Sequence, residues 1–431
     1  MIIGSQVHRV GAFEPFTFGK VPDSDFLTTE WLRQTEKIAY NQGMFTDCII
    51  MAGGSGTRLW PASNSRCPKQ FLTLPGGGTF FQAALERAFA VTESKGNVII
   101  VTGSSHVPHV IKACNALPED RRTRVVVIPE PVGRNTAPAI ACAAVYIKKT
   151  AEVQQTDSAK RIALVLTSDH IISPLEDFRA DALAAAELAK SEALVVFGIP
   201  PQRPETGFGY IEAGANLTAG DARAYRVSSF REKPDLETAR AFLEKGTFFW
   251  NSGMFAFDID FILSQFQLHA PETLAPFAKL SRPESAYYET RDSVALLSRW
   301  TGLTEAYSAV APISIDYAIA EKCSTVAMVT GRFSWADVGS WDEYAKILGE
   351  GTMTRGALAS AGAEVFTAGS SNCFVDSDIP VALCGVEDLI VVVRSDANGN
   401  SPSVLICKKG ESQQVKTIVD QIRKADRGDL L

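Results

Sequence analysis

The sequence predicts an α/β protein: a doubly wound sheet, mixed or mostly parallel, followed by a small C-terminal β domain of the short left-handed β-helix type. Three observations predict it. Short apolar runs alternate with helical stretches from residue 44 onward. The first of those runs ends in a glycine loop. Beyond about residue 350 the helices give way to short β runs separated by glycines and aspartates. The 431 residues are too many for one small domain, and 46% hydrophobic against 21% charged residues marks a folded chain rather than a disordered one. Three parts are expected: an extension over 1–43, an α/β domain over 44–350, and a β domain with a closing helix over 351–431.

Residues 1–43 differ from the rest of the chain. Met1–Lys20 has neither the basic start nor the apolar core of a secretory signal. Asp25–Ala39 is patterned for one amphipathic helix with Phe26, Leu27, Trp31, Leu32 and Ile38. This extension is expected to pack poorly on the core, as untied termini do. Cys48–Met51 reads as a buried strand running into Gly53-Gly54. A helix over Thr79–Val91 and strands over Asn97–Val101 and Arg124–Ile128 come after it. Pro138–Thr150 is an alanine-rich helix that Asn135 or Thr136 can cap, with Pro138 in its first turn. Arg161–Leu166 is a strand ending at Ser168-Asp169-His170; a helix over Phe178–Lys190 and a strand over Ala193–Gly198 come next. Such alternation implies crossover connections and a largely parallel sheet, whose ligands bind beyond the carboxyl ends of the strands. The tail reads as strands near Ala363–Phe366, Cys373–Val375, Val381–Cys384, Leu389–Val393 and Ser403–Cys407, closed by a helix over Glu411–Arg427.

Composition excludes several classes. The net charge of -7 argues against nucleic acid or an anionic membrane as main partner, though not against a small anionic substrate. No apolar run approaches the roughly 18 residues of a membrane span. The eight cysteines are scattered with no CxxC pair, which speaks against a disulfide framework or structural zinc and for reduced thiols in a cytoplasmic protein. His106 and His109 are spaced like metal ligands but have no third ligand nearby.

The chemistry is concentrated in Gly53-Gly54-Ser55-Gly56-Thr57-Arg58-Leu59-Trp60-Pro61 and Pro68-Lys69-Gln70-Phe71. Glycines after a buried strand let backbone N–H groups approach an anion. Arg58 adds a guanidinium fork suited to phosphate oxygens, and Lys69 a mobile point charge. The stretch is neither a P-loop nor a GxGxxG fingerprint. Asp169, two residues past a strand's carboxyl end, can reach a ligand or cap a turn. Glu232 and Lys233 fall on a strand over Ser228–Lys233, where neighbours face opposite sides unless the strand end twists. Asn251 precedes Ser252-Gly253, so a turn role competes with ligand recognition.

GGSGTRLWPxS followed by PKQF resembles the signature of the sugar-nucleotide pyrophosphorylase family, and the Trp60 version is similar to its mannose-1-phosphate guanylyltransferase branch. The resemblance continues in order through Glu130–Pro138, Thr167–His170, Glu205–Glu212, Phe230–Pro234, Trp250–Phe255, Ile315–Ile319 and Trp335–Gly339. It implies a Rossmann-like nucleotidyltransferase domain that moves GMP from GTP to α-D-mannose 1-phosphate, releasing pyrophosphate. By resemblance Gly53, Gly54, Ser55, Gly56, Thr57 and Arg58 hold the triphosphate and Lys69 lies against the α-phosphate. Asp169 and Asp337 hold Mg2+. Glu232 meets sugar hydroxyls, Lys233 the sugar phosphate, and Gly209 and Asn251 line the sugar's place. Glu130 is the candidate reader of guanine, because a carboxylate accepts both N1–H and N2–H2; Asn135 competes for that role. A homodimer is expected. The alternatives are another sugar or base, or a non-catalytic regulatory relative; the presence of Arg58, Lys69, Asp169, Lys233 and Asp337 together weighs against the last. Some relatives carry a cupin-type isomerase domain that depends on histidine-held metal. No histidine occurs from Ala270 to Leu431, so a single activity is expected.

Overall fold

The structure is a computed structural model and describes residues 45–54, 56–64, 67–74, 77–153, 161–217, 223–348, 353–354, 357–359, 364–395 and 401–431. The 1–43 extension, its expected helix, Ser55 and the expected strand start at Ala363 lie outside the described residues.

One sheet of 11 strands organises the chain. Its strands are β1 (Phe45–Met51), β2 (Thr92–Gly103), β3 (Val125–Glu130), β4 (Ile162–Thr167), β5 (Leu194–Ile199), β6 (Gly209–Asn216), β7 (Ala224–Glu232), β8 (Phe248–Asp258), β9 (Glu289–Arg291), β10 (Val294–Leu296) and β11 (Val326–Thr330). Their order is β9-β10-β3-β2-β1-β4-β8-β5-β11-β7-β6. From β3 through β2 and β1 to β4 every pairing is parallel, as helical crossovers require. Beyond β4 the sheet is mixed. β8 runs antiparallel to both β4 and β5, and β6 pairs antiparallel with β7. The expected crossovers hold only to β5, because β6 and β7 are joined without a helix.

Side-chain alternation explains why the central strands read as unbroken apolar runs. Ile49, Ile99, Ile128 and Val165 face one side, against α3 (Thr136–Val153) and α5 (Ile259–His269). Cys48, Ile50, Ile100 and Leu164 face the other, against α1 (Phe80–Val91), α2 (Val107–Cys114) and α4 (Leu175–Ala189). Both faces are covered, so neither can be polar. Thr79 starts α1 with a capping box: its side chain accepts from the Gln82 N–H while the Gln82 side chain accepts from the Thr79 N–H.

The tail stacks in parallel coils, as expected of a β-helix-like unit. Val365–Ala368 lies beside Val381–Cys384, and Cys373–Ser377 beside Leu389–Arg394, each one 16-residue coil further on, as the pairs Val365 with Val381 and Phe374 with Ile390 record. Ser403–Lys408 closes it antiparallel. The final helix, α7, is shorter than expected, Val415–Lys424, with 3-10 turns before and after it. Helix α6 (Trp341–Leu348) precedes the strands of the tail. Among the described residues no helix is long and apolar enough to cross a membrane.

Asp47 fixes β1 beside β4, the two strands whose ends carry the first site loops. Its buried carboxylate accepts from Arg161 Nη2 at 2.7 Å and Nε at 3.1 Å, and from Thr46 Oγ1 at 3.0 Å. Asp47→Ala should lower unfolding stability by about 3 kcal/mol, because it strands a partly buried guanidinium. Urea unfolding measures it, and a loss under about 1 kcal/mol would mean the pair is not structural.

Candidate active site

The glycine loop leaves β1 at its carboxyl end. Gly53 and Gly54 are exposed, and Gly54 sits at φ +89° with nothing within 4 Å of where a Cβ would stand. Gly56, at φ +58°, begins the 3-10 turn Thr57–Leu59. A Cβ there would stand 2.3 Å from Lys69 Cβ and 3.2 Å from its backbone nitrogen, so only glycine lets the loop close on Lys69. The loop's base is held as well: Gln70 Nε2 and Thr102 Oγ1 both donate to the Ala52 carbonyl, at 3.1 and 2.9 Å.

Lys69 is buried, and its ammonium lies between two carboxylates, 2.9 Å from Asp169 Oδ2 and 3.3 Å from Asp337 Oδ1; it also donates to the Asp337 carbonyl. Burial by itself would depress this lysine's pKa, but Asp169 and Asp337 outweigh it and the pKa is raised. Asp337 shows the complement. Burial opposes its charge, yet Lys69, His170 and Arg58 hold it far below the usual carboxylate range. The convergence has a backbone cause. Ile171–Ser173 pairs antiparallel with Ser334–Ala336, Ala336 opposite Ile171, which sets Asp337 next to His170.

His170 and Arg87 belong to this arrangement although sequence reasoning gave them no role. The Trp335 indole N–H donates to His170 Nδ1 at 3.1 Å, so the imidazole proton sits on Nε2, which faces Asp337 Oδ1 at 3.5 Å and Asp169 Oδ1 at 3.8 Å. Arg87, fully enclosed and lowered to about 10 by burial, donates to the His170 carbonyl at 3.1 Å. The Thr167–His170 segment was the available signal for His170; Arg87 sits inside an ordinary helix pattern and gave none. Arg58 is exposed and borders Asp337: a Cβ on Gly339 would lie 3.2 Å from Arg58 Nη1 and 3.5 Å from Asp337 Oδ2.

A second group forms around Gly209. It pairs with Glu232 in register, and a Cβ on it would meet Glu232 Oε2 at 2.5 Å and Asn251 Cβ at 3.2 Å. β7 ends at Glu232; Lys233 turns to φ +47° and its ammonium pairs with Glu232 Oε1. The strand end turns, and the two neighbouring side chains meet. Burial would lower the Lys233 pKa, but Glu232 raises it. Asn251 Nδ2 donates to Asp316 Oδ1 at 2.9 Å, and Asn251 Oδ1 accepts from the Gly253 N–H at 3.2 Å. Asp316 is raised to about 6, by burial first and then by Glu232. The segment around Asp316 carries part of the family resemblance, but the sequence gave this residue no role; it opens a π-helical turn, Asp316–Ala320, a form frequent at functional sites. Gly253 links the two groups, since a Cβ there would touch Thr167 Cγ2 at 3.6 Å and His170 Cε1 at 4.0 Å.

Glu130 ends β3 and faces the glycine loop, 3.5 Å from a Cβ on Gly53. It is buried, and its Oε1 has no hydrogen-bond partner within bonding geometry. Burial lifts its carboxyl to about 7, and the neighbouring Tyr307 opposes that rise only in part. Asn135 is exposed at φ +68°, with its amide oxygen taken by the Thr136 N–H at 2.8 Å.

The donor set fits a hard divalent cation. Two carboxylates converge on one cationic point, which suits an ion that takes one or two protein carboxylates together with substrate oxygens. Among the described residues no group of three or more His, Cys, Asp or Glu side chains is placed to hold a metal ion.

Residues 47–351 match the nucleotidyl transferase family, and residues 364–422 match the MannoseP isomerase/GMP-like beta-helix domain. The chain is 36% identical over 388 residues to the mannose-1-phosphate guanylyltransferase of Escherichia coli K12, covering 88% of this chain and 73% of that protein. It is 34% identical to the xanthan biosynthesis protein XanB of Xanthomonas campestris pv. campestris, covering 88% and 74%. A solved structure from Thermus thermophilus, named as a mannose-1-phosphate geranyltransferase, superposes with a TM-score of 0.70 at 27% identity, covering 88% of this chain and 100% of that one. The chain therefore belongs to the nucleotidyl transferase family and, within it, to the family of the mannose-1-phosphate guanylyltransferases.

Proposed function

We propose that this protein transfers GMP from GTP to α-D-mannose 1-phosphate, giving GDP-mannose and pyrophosphate. The observation that carries the reading is the Lys69 ammonium set between Asp169 and Asp337 and closed upon by the glycine loop. Both substrates are polyanions, so the work is positioning and charge neutralisation. An anionic oxygen of the sugar 1-phosphate forms a bond to the α-phosphorus of GTP. The bond from that phosphorus to the bridging oxygen breaks, and pyrophosphate leaves with the electron pair. No proton transfer is needed.

The backbone of Gly53–Thr57 and the Arg58 guanidinium receive the triphosphate. Lys69 turns its charge to the α-phosphate, where negative charge builds up. Asp169 and Asp337 would hold Mg2+, which would supply neutralisation of phosphate charge at the reacting and leaving groups. Glu232 and Asn251 accept and donate to sugar hydroxyls, Gly209 leaves room for those two side chains beside the sugar, and Lys233 takes the sugar phosphate. Asp316 orients the Asn251 amide. Glu130, whose Oε2 faces the glycine loop, offers its carboxylate to the guanine N1–H and N2–H2. The direct assay follows pyrophosphate release over a panel of sugar 1-phosphates and nucleoside triphosphates. Mannose 1-phosphate with GTP should be the fastest pair, and another pair faster by about tenfold would replace this reading.

Asp169→Asn and Asp337→Asn should each cut kcat by about a hundredfold or more with the fold intact by circular dichroism, since a metal clamp supplies several kcal/mol. Near wild-type turnover of Asp337→Asn at limiting Mg2+ would remove it from the metal site.

Two lysines should separate kinetically. Lys69→Ala lowers kcat by about a hundredfold or more, because the α-phosphate gains charge only on the way to the transition state. Lys233→Ala raises KM for the sugar phosphate by about tenfold and changes kcat little, because that charge is present throughout. Steady-state kinetics giving the reverse pattern would exchange the roles.

Glu130 makes GTP binding depend on pH. The carboxylate form accepts the guanine donors, and burial holds the carboxyl at about 7. Ionisation is therefore mostly lost on going from pH 8 to pH 6, and affinity for GTP should fall about tenfold with it. Glu130→Gln should bind GTP weakly at both values and lose that step. A variant with the wild-type pH profile would clear Glu130 of base recognition.

A further inference from the structure

A third core cluster lies apart from the two faces of the main sheet, and it joins distant parts of the chain. Leu59 and Trp60 enter it from the turn that carries Arg58, and Val338 and Trp341 from the segment that follows Asp337. Leu72, Phe80 and Tyr344 join them from the same domain, and the C-terminal β module contributes Phe374 from its sheet and Val415 and Val419 from α7. Polar contacts fasten the same join. The Trp60 indole N–H donates to the Leu430 carbonyl at 2.7 Å, and the Trp341 indole N–H donates to the Trp60 carbonyl at 2.9 Å. Asp342 accepts from the backbone N–H of Gly410 at 2.7 Å and of Ser412 at 3.2 Å.

The backbone beside Asp337 is strained. Val338 has φ +51°, a left-handed conformation that a β-branched residue adopts only where its surroundings impose it. Val338 is fully buried in this third cluster. The packing that imposes the conformation is thus shared with the C-terminal module. Arg58 and Asp337 border each other, and each sits one residue before a member of the cluster, Leu59 or Val338.

We infer that the C-terminal β module is a positioning element of the nucleotide site: by packing on Leu59, Trp60 and Val338 it sets Arg58 and Asp337 in register to receive the triphosphate. This rests on the functional reading above. A merely structural role predicts lost thermal stability with GTP affinity unchanged. Positioning predicts weaker GTP binding from changes at this contact, and none from equal damage elsewhere in the module. Leu383 supplies the control, because it lies in a separate cluster with Cys373, Val375 and Val391.

The test uses the full chain with Mg2+ and measures GTP binding by calorimetry without sugar phosphate, together with Tm. Trp60→Phe removes the indole donor and part of the ring's packing, and Val419→Ala trims the helix contact. Both should weaken GTP binding by about fivefold or more at temperatures well below Tm. Leu383→Ala should lower Tm at least as far and keep wild-type affinity. The inference is overturned if Trp60→Phe and Val419→Ala bind GTP as the wild type does, or if Leu383→Ala weakens binding equally. If the wild type prefers another triphosphate, the base assignment falls, while the same variant ratios read with that triphosphate still decide the positioning claim.

Discussion

One buried ammonium sets the terms for the rest of the site. Lys69 costs desolvation free energy, and its contacts with Asp169 and Asp337 offset that cost only because the geometry is close and the Asp337 carbonyl also accepts from it. Each neighbouring feature follows from this constraint. Gly56 must lack a side chain for the loop to reach Lys69. The short ribbon of 171–173 with 334–336 must form for the carboxylates to meet. His170 must present its Nε2 proton to them, which the Trp335 indole enforces from the other side. In this arrangement the lysine is the counter-ion of the two carboxylates. On the proposed mechanism, substrate and cation release it to serve phosphate oxygen, so the charges the reaction uses are already in place.

The group proposed for the sugar is built on a different device. A strand should send Glu232 and Lys233 to opposite faces, yet the left-handed turn at Lys233 brings its ammonium onto Glu232. Behind them Asp316 fixes the Asn251 amide, and the absence of a side chain at Gly209 lets the Glu232 carboxylate and Asn251 stand against its backbone. A lysine paired with a carboxylate in this way is neutralised until an anion arrives. On the proposed mechanism, Lys233 then exchanges the Glu232 carboxylate for the sugar phosphate.

Much of this was legible in the sequence, and the boundary of legibility is physical. Strands buried on both faces announce themselves as apolar runs, so β1, β2, β3 and β4 were readable along with the residues at their carboxyl ends. Arg58, Lys69 and Asp169 stood out because glycines and charges next to a buried strand have few structural uses. Pairings across long separations were not readable. Nothing local says that Asp337 meets His170, that Arg87 in α1 braces the His170 carbonyl, or that Trp60 donates to Leu430. The turn at Lys233 also escaped, since a single positive φ at a non-glycine residue leaves no periodic trace. That the sheet is mixed or mostly parallel was expected, but which strand runs antiparallel was not readable: insertion of β8 between β4 and β5 is a tertiary choice that strand pattern does not encode.

Catalysis on these terms is a matter of placement and charge, with the sugar phosphate oxygen attacking the α-phosphorus directly and no covalent nucleotidyl-protein stage. The stereochemistry at that phosphorus tests it most directly. GTP made chiral at the α-position with sulfur is turned over with mannose 1-phosphate, and the configuration of the GDP-mannose analogue is read by phosphorus NMR. A single in-line displacement gives inversion of configuration. Retention would mean two displacements through a protein-bound nucleotide, and would contradict direct attack.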